Sequence, residues 1–384
     1  MQKLNTFFPI LVLGCLLLTS CFKDEAPNTE CDILEAWVPD DYRSYFSQPT
    51  DMRVEDVPSG EHQIVFTVRV LSVVPELPVE FRLTPGATIE PANGSLQDFS
   101  KGPVTYTVTS EDGQWKRQYQ VELREMVHPS NTYDFEHFDL NEKPQFYVWY
   151  EQQTDGSRND IWATGNLGYS IAKGNAPIDD YPSVAEPNGY DGYCVKLTTR
   201  NTGSWGKTFR KPIAAGNLFF GKFNSQYALT NTLKCTEMGI PFTKEPIKVS
   251  GYYKFKPGEV FTDKDFKEIP GRQDEPDIYS VLYVNHDANG NSVVLHGDDV
   301  LSSPLIVRKA RVKSLPPTDQ WTPFEMVYEG TTPIDADLLS RRGYSLALVF
   351  SSSKTGDTFE GAVGSTLYID KVKIDFQSEE EVKQ

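Results

Sequence analysis

Apolar and polar residues alternate along much of this chain, and this pattern predicts β-strands. In the first third, every second residue is apolar over 64–70 and again over 104–108, as in strands with one buried face. The second run enters Ser110-Glu-Asp-Gly113, and a further alternating run follows over 115–123. Asp-Gly favours the positive φ of a tight turn, so these residues are predicted to form a hairpin.

The same succession of strands and turns continues at larger scale through the rest of the chain. The predicted strands are 146–149, 194–199, 247–255, 279–284, 305–310, 324–328, 344–351 and 367–376. Helical periodicity is nearly absent, and only residues 335–342 are predicted to wind a short helix. The fold is therefore predicted to be all-β, with a jelly-roll pair of antiparallel sheets as the larger unit.

Residues 125–131 follow a completed strand and precede an aromatic-rich region, and this change predicts a domain boundary. Residues 31–125, with Pro/Gly turns between short strands, have the size of an immunoglobulin-like β-sandwich. Residues 132–377 form the predicted jelly-roll domain, and the acidic tail 378–384 is predicted to be disordered.

The N-terminus has the pattern of a secretory signal over residues 1–20. Its apolar run, 7–18, is shorter than the roughly 20 residues of a membrane-spanning helix. Leu18-Thr-Ser-Cys21 resembles a lipobox, which implies lipidation of Cys21 and a tether over 21–30. Phe22-Lys-Asp-Glu25 resembles an export tag for surface lipoproteins, the alternative being an ordinary charged tether. We therefore expect a lipid anchor in the outer membrane, with the protein facing the cell exterior.

The composition of the chain limits the classes of molecule that it is expected to bind. With 37 Lys+Arg against 54 Asp+Glu, the formal charge is −17, so the chain lacks the basic surface that nucleic acids and anionic lipids require. The five cysteines include no CxxC pair, which argues against zinc and redox sites. Cys194 lies in an apolar strand pattern, so buried thiols at Cys194 and Cys235 are favoured over a disulfide between them.

The sequence contains only weak matches to known catalytic motifs. Glu30-Cys-Asp32-Ile-Leu-Glu35 matches the Glu-x-Asp-x-x-Glu of jelly-roll glucanases, but it lies at the exit of the tether, so we interpret it as a coincidence. The sequence contains no HExxH or GxSxG motif. We predict no catalytic residue, although a glycoside hydrolase whose carboxylates meet only in the folded chain stays an alternative.

The residues from Ser351 to Asp370 resemble the C-terminal signature of the family named PCMD, for "putative carbohydrate metabolism domain". The other stretches that carry this resemblance are 162–166, 196–199, 215–221, 239–242 and 251–258. Residues 85–91 and 106–113 resemble Ig-like modules that follow lipidated cysteines in surface glycan-binding lipoproteins. The resemblance implies a jelly roll similar to carbohydrate-binding modules, preceded by a spacer.

Sugar recognition requires flat aromatic rings beside amides and hydroxyls. The candidate rings are Trp149, Trp162, Tyr169, Tyr190, Trp205 and Trp321. Most aromatic rings of a β-sandwich are buried, but Trp162, Trp205 and Tyr190 lie in Gly/Asn-rich, turn-like sequence, which favours exposure. The predicted carbohydrate-binding residues are Trp162, Asn166, Tyr190, Asp191 and Trp205.

Asp370 shares strand parity with four large residues, Tyr368, Val372, Ile374 and Phe376, and is therefore predicted to point inward, where a carboxylate needs partners. The likeness to jelly-roll carbohydrate modules implies structural calcium, with Glu136 as a second ligand. Backbone and hydroxyl hydrogen bonds are the preferred alternative. No other cofactor is expected.

Together these observations predict a surface lipoprotein that binds an oligosaccharide or polysaccharide without catalysis. Other outer-membrane proteins of glycan uptake are its expected partners. A surface adhesin or structural envelope protein, whose aromatic surface contacts another protein, stays an alternative.

Overall fold

The computed structural model describes residues 27–46, 49–55, 57–58, 60–71, 74–125, 130–153, 156, 158–174 and 176–377. The predicted signal peptide, the lipidation residue Cys21, most of the tether and the tail 378–384 lie outside these residues. The side chain of Trp205 lies outside them as well. Among the described helices, none is long and apolar enough to cross a membrane.

Residues 27–125, here the N-terminal unit, consist of short strands in two main sheets. The strands are β1 Ile33–Trp37, β2 Arg53–Val54, β3 Gln63–Val68, β4 Leu77–Pro78, β5 Glu80–Leu83, β6 Thr88–Glu90, β7 Leu96–Gln97, β8 Val104–Thr109 and β9 Lys116–Glu125. One sheet has the order β2-β1-β5 and the other β3-β9-β8-β6. The predicted hairpin is confirmed, because β8 and β9 pair antiparallel and Gly113 has a φ of 71°.

Residues 130–377, here the C-terminal unit, contain two larger sheets. Their strands and those of the flanking ladders are β10 Thr132–Tyr133, β11 Phe138–Leu140, β12 Tyr147–Trp149, β13 Glu151–Gln152, β14 Arg158–Asn159, β15 Trp162–Ala163, β16 Ser183–Glu186, β17 Cys194–Thr198, β18 Arg200–Asn201, β19 Ile213–Ala214, β20 Asn217–Phe223, β21 Thr236–Met238, β22 Ile240–Phe242, β23 Pro246–Lys256, β24 Phe261–Thr262, β25 Asp277–Val284, β26 Ile306–Arg311, β27 Thr318–Val327, β28 Tyr344–Ser351, β29 Gly361–Ala362 and β30 Thr366–Phe376.

The front sheet has the order β16-β17-β30-β23-β27, and the back sheet has the order β15-β20-β28-β25-β26. Alternate residues of both sheets meet in one hydrophobic core, to which Phe255 and Ile369 contribute from the front sheet and Leu282 and Phe350 from the back sheet. This core draws on residues 133–374, whereas a separate core draws on residues 31–123. The all-β prediction is confirmed, and alternation identified the longest strands because each buries one face.

In the described part of the chain, three short α-helices lie between the strands: α1 Asn166–Lys173, α2 Gly203–Thr208 and α3 Ala336–Ser340. Short segments of 3-10 helix occur at Asp40–Tyr45, Pro49–Met52, Ile178–Asp180, Ser225–Tyr227, Thr232–Cys235 and Gly356–Thr358. The sequence predicted α3 but neither α1 nor α2. Helices this short are stabilised by tertiary contacts and give little periodic signal.

Arg69 joins the two units. Its guanidinium donates to the side-chain oxygen of Asn285 at 2.9 Å, to the main-chain oxygen of Asn285 at 3.0 Å and to the Ser292 hydroxyl at 2.9 Å. The Ser292 hydroxyl in turn lies 2.6 Å from the carbonyl oxygen of Phe46. Because this cluster is buried, the loop after β25 is fixed to the N-terminal unit.

The remaining cysteines are buried thiols, as expected. Cys31, Cys194 and Cys235 are all free in the structure. Burial raises the pKa of the Cys194 thiol to about 12 and that of Cys235 to about 11, so both stay protonated and unreactive at neutral pH.

Replacing Arg69 by Met should lower the free energy of unfolding by about 1–3 kcal/mol, because the oxygens of Asn285 lose buried donors. Arg124→Met is the matched control: Arg124 is exposed and its ion pair among the described residues is with Glu122, so its change should stay within about 0.5 kcal/mol. Urea denaturation measures both values. Equal effects of the two substitutions would contradict the role assigned to Arg69.

Candidate functional site

A group of aromatic rings lies on the outer face of the front sheet. Tyr190, which is 49% exposed, stacks on Tyr252 of β23 with ring centroids 4.1 Å apart and planes 22° apart. Trp321 of β27 meets Tyr190 edge to face at 6.3 Å. Tyr368 of β30 lies on the same face, since it pairs with Lys254 in the ladder. These four rings are here called the aromatic platform.

Charged side chains separate and border these rings. The Lys254 ammonium lies 4.5 Å from the ring centroid of Trp321 and 4.8 Å from that of Tyr368, within the range of cation–π attraction. Lys196 lies 5.9 Å from the Tyr368 ring and pairs with Glu186 at 3.4 Å. Hydrogen-bond donors and acceptors are therefore placed directly beside apolar ring faces.

The alternation of side chains along the strands explains why the platform residues of β23 and β30 face outward. On β23, Tyr253 and Phe255 belong to the hydrophobic core, so Tyr252 and Lys254 face outward. Tyr190 and Trp321 are among the candidate rings predicted from the sequence, whereas Tyr252 and Tyr368 are not. The alternation within β23 and β30 was the signal that could have found them.

The loop that carries Tyr190 is held by a carboxylate beneath it. The main-chain N–H of Tyr190 donates to Oδ2 of Asp370 at 2.7 Å, and that of Asp191 donates to the same oxygen at 3.3 Å. The N–H of Lys371 donates to Oδ1 at 2.7 Å. Burial raises the pKa of Asp370 above its ordinary value, and these three N–H groups oppose that rise.

The predicted inward orientation of Asp370 is wrong, because a β-bulge changes the side-chain parity of β30. Between Ser250 and Tyr252 of β23 the register shifts, and Lys371 adopts a positive φ of 48°. Before the bulge Ile369 faces the core, and after it Val372 does. Asp370 therefore shares the outer face with Tyr368 and is buried beneath the 188–193 loop.

Glycine allows the loop to approach both carboxylates. A Cβ at Gly189 would lie 2.8 Å from Oδ2 of Asp370, and one at Gly192 would overlap the carboxylate of Glu136. Gly192 also has a φ of 76°, which favours glycine. Glu136 accepts the main-chain N–H of Tyr193 at 3.0 Å, so this carboxylate holds the far end of the loop.

The calcium hypothesis gains no geometric support from this arrangement. Among the described residues, no group of three or more His, Cys, Asp or Glu side chains is placed to hold a metal ion. Asp370 and Glu136 contact main-chain N–H groups, which are donors and compete with a cation for the same oxygens. The backbone hydrogen bonds named as the alternative are present.

Trp162 is not a surface residue, so its expected exposure is wrong. It belongs to β15, is 7% exposed and packs against Phe220 with centroids 4.4 Å apart. Its indole N–H donates to Glu151 at 2.8 Å. Gly165 and Asn166 follow this two-residue strand directly, so the local sequence has the pattern of a turn.

Asn166 is likewise buried rather than available to a ligand. It begins α1, and its amide donates to the carbonyl of Ser183 at 2.8 Å and accepts the N–H of the same residue at 3.0 Å. Both polar ends of this side chain are therefore used to fix α1 to β16. Trp149 and Tyr169 are buried as well.

The remaining predicted residues lie at or outside the platform. Asp191 is exposed next to Tyr190 and pairs with Lys371 at 3.3 Å. Trp205 is part of α2, but the position of its side chain lies outside the described part of the chain. Of the five predicted carbohydrate-binding residues, Tyr190 and Asp191 are brought together at the platform.

Two models of known protein families match this chain. The model of the family described as "Putative carbohydrate metabolism domain" (PCMD) matches residues 134–375, more than half of the 384 residues. The chain belongs to the PCMD family. A second family model, described as "SGBP, N-terminal", matches residues 46–123 of this PCMD protein. The platform lies wholly within the PCMD match.

Solved structures that are similar to this PCMD protein include two from Bacteroides species. One, from Bacteroides thetaiotaomicron VPI-5482 and named a "putative glycoside hydrolase", is 36% identical with a TM-score of 0.70, covering 93% of this chain and 100% of the other. Another of the same name, from Bacteroides vulgatus ATCC 8482, is 33% identical with a TM-score of 0.60, covering 64% of this chain and 98% of the other. Among curated proteins, none matches.

Asp370→Ala should release the loop that presents Tyr190. The N–H groups of Tyr190 and Asp191 lose their acceptor, so their hydrogen exchange should become faster, with about 1–3 kcal/mol less stability. Asp191→Asn, which changes an exposed carboxylate, should leave both amides protected. Amide hydrogen exchange measured by NMR distinguishes the two variants. Unchanged exchange at Tyr190 in Asp370→Ala would contradict the proposed restraint.

Glu151 should make stability depend on pH. Burial raises the pKa of its carboxyl to about 7, although the Trp162 N–H opposes this. The folded chain then binds this proton more tightly than the unfolded chain, whose carboxyl has an ordinary pKa of 4.5. This contribution to the unfolding free energy therefore falls as the pH rises from about 4.5 to 7.

Glu151→Gln keeps an oxygen for the Trp162 N–H but removes this titration. Its stability relative to the natural chain should be higher at pH 8 than at pH 5, as measured by urea denaturation at each pH. The exposed Glu142→Gln is the control and should show no such change. A relative stability of Glu151→Gln that is independent of pH would contradict the prediction.

Proposed function

We propose that the aromatic platform binds the sugar rings of a glycan. The observation that carries this proposal is the exposed Tyr190 ring, stacked on Tyr252 and fixed from below by Asp370. The C–H face of a pyranose packs on such a ring, while its hydroxyls need nearby polar groups. Lys254 and Asp191 supply them.

Preorganisation strengthens the case for binding. Tyr190 belongs to a loop whose main chain is bonded to Asp370 and Glu136, so little backbone freedom is left to lose when a ligand binds. The Tyr252 and Trp321 side chains are held by ring contacts with Tyr190. A rigid aromatic surface of this kind suits an extended, weakly charged polymer.

We place this activity at the cell surface. The match of residues 46–123 to an N-terminal domain of surface glycan-binding proteins supports this placement. In the proposal, a lipid on Cys21 anchors the chain, the N-terminal unit carries the platform away from the membrane, and the captured glycan passes to neighbouring uptake proteins.

The proposal is binding without hydrolysis. The Glu30-Cys-Asp32-Ile-Leu-Glu35 motif lies in the N-terminal unit, where Glu35 pairs with Arg82 at 3.0 Å and Asp32 pairs with Arg117. In the C-terminal unit, both carboxylate oxygens of the buried Asp277 accept bonds from Arg311, at 2.8 and 2.6 Å. These carboxylates are engaged by arginine, which favours structural roles.

A glycan array probed with the chain lacking residues 1–21 tests the proposal. Binding should weaken about tenfold in Tyr190→Ala and in Trp321→Ala, the loss of about 1.4 kcal/mol expected when one stacked ring is removed. Trp115→Ala is the matched control, because Trp115 is 61% exposed but lies in the N-terminal unit. Its binding should be unchanged.

Failure to bind any plant, host or microbial glycan would overturn the proposal, and so would an equal loss in Trp115→Ala. The bound glycan should also be incubated with the protein and assayed for new reducing ends. Their release would contradict the proposal of binding without hydrolysis while leaving the platform as a candidate substrate site.

A further inference from the structure

A second concave site opens on the outer face of the back sheet. Its floor is formed by Phe219 of β20, Tyr279 of β25 and Val349 of β28, and its volume is about 210 Å³. Residues of α1, including the exposed Ile171, line one side. The platform lies on the other sheet, so this cleft is a separate site and its argument does not rest on the proposed function.

The cleft is mainly apolar. Its floor residues pack with Met238 and Leu301, which also line it. At about 30 Å³ per water, its volume is that of roughly seven waters, enough for one ring with a short side chain. Threonine and serine side chains also line the cleft, but its floor is apolar. An apolar floor favours a small ligand with a flat apolar body.

Lys211 supplies a cation in the lining. Its ammonium has three donors. One contacts the hydroxyl of Thr232, and the carbonyl oxygen of Ala228 lies 3.4 Å away. The ammonium also lies 5.9 Å from the ring centroid of Phe359, which lines the cleft, and no described carboxylate forms an ion pair with Lys211. An ammonium beside an apolar cleft attracts an anionic group, which would complete its hydrogen bonds.

Asp357 supplies an acceptor in the same lining. It is exposed, and one oxygen accepts the main-chain N–H of Thr358 at 2.9 Å. The neighbouring Asp277 is fully engaged by Arg311. A ligand hydroxyl can therefore donate to Asp357, whereas a ligand carboxylate is repelled there. The lining also contains Lys354, but this lysine already pairs with Glu275 at 3.2 Å.

We propose that this cleft binds a small aromatic hydroxy acid, with its carboxylate on Lys211, its ring over Tyr279 and its hydroxyl toward Asp357. Each part of the ligand matches one feature of the lining: the Lys211 ammonium, which has no carboxylate partner among the described residues, the apolar floor, and the exposed carboxylate of Asp357. The binding is non-covalent and requires no reaction.

The test is calorimetric titration of the chain lacking residues 1–21 with 4-hydroxycinnamate. Lys211→Met should weaken binding about tenfold or more, since hydrogen bonds to charged groups contribute about 1.5–3 kcal/mol. Asp357→Asn should weaken it by a smaller factor. Lys207→Met is the matched control, because Lys207 is an exposed lysine of α2 outside the cleft lining, and it should bind unchanged.

The methyl ester of the same acid provides a measurement that does not depend on a variant folding. It should bind the natural chain about tenfold more weakly than the acid. It should bind Lys211→Met about as well as the acid does, because the partner of the carboxylate is then absent. Absence of binding at millimolar acid, equal binding of ester and acid to the natural chain, or displacement by a neutral oligosaccharide would each overturn the proposal.

Discussion

The carboxylate of Asp370 holds the loop 188–193 on the front sheet, and the exposed part of the platform depends on it. An unpaired carboxylate in this buried position would be costly, but three main-chain N–H groups satisfy it. The same hydrogen bonds fix the position of Tyr190. One interaction therefore offsets the cost of burying a charge and positions a surface ring.

The bulge at Lys371 is what makes this arrangement compatible with a continuous strand. Without the bulge, Val372 would have the same strand parity as Asp370, and both side chains would face outward. With it, β30 keeps Val372 and Ile374 in the core while Asp370 faces the loop. Bulges of this kind redirect one side chain without interrupting a sheet. One strand, β30, thus contributes side chains both to the core and to the platform.

The sequence predicted the all-β class and the long strands because their burial alternates with a period of two. It identified Tyr190 and Asp191 because glycine and asparagine around them indicate a turn. It failed for Trp162 and Asn166, since β15 has only two residues and α1 is held by tertiary contacts. The parity change in β30 could not be predicted, because Lys371 carries no residue-type signal for a positive φ.

The buried cluster around Arg69 also has a geometrical consequence. A spacer on a freely jointed linker would let the C-terminal unit swivel, and the direction of the platform would average over many angles. Here the guanidinium bonds to the loop after β25 and the Asp51–Lys222 ion pair fixes a second point. Two separated points restrict rotation. The platform therefore keeps one direction relative to the N-terminal unit, and any contact that orients the N-terminal unit also orients the rings of the front sheet.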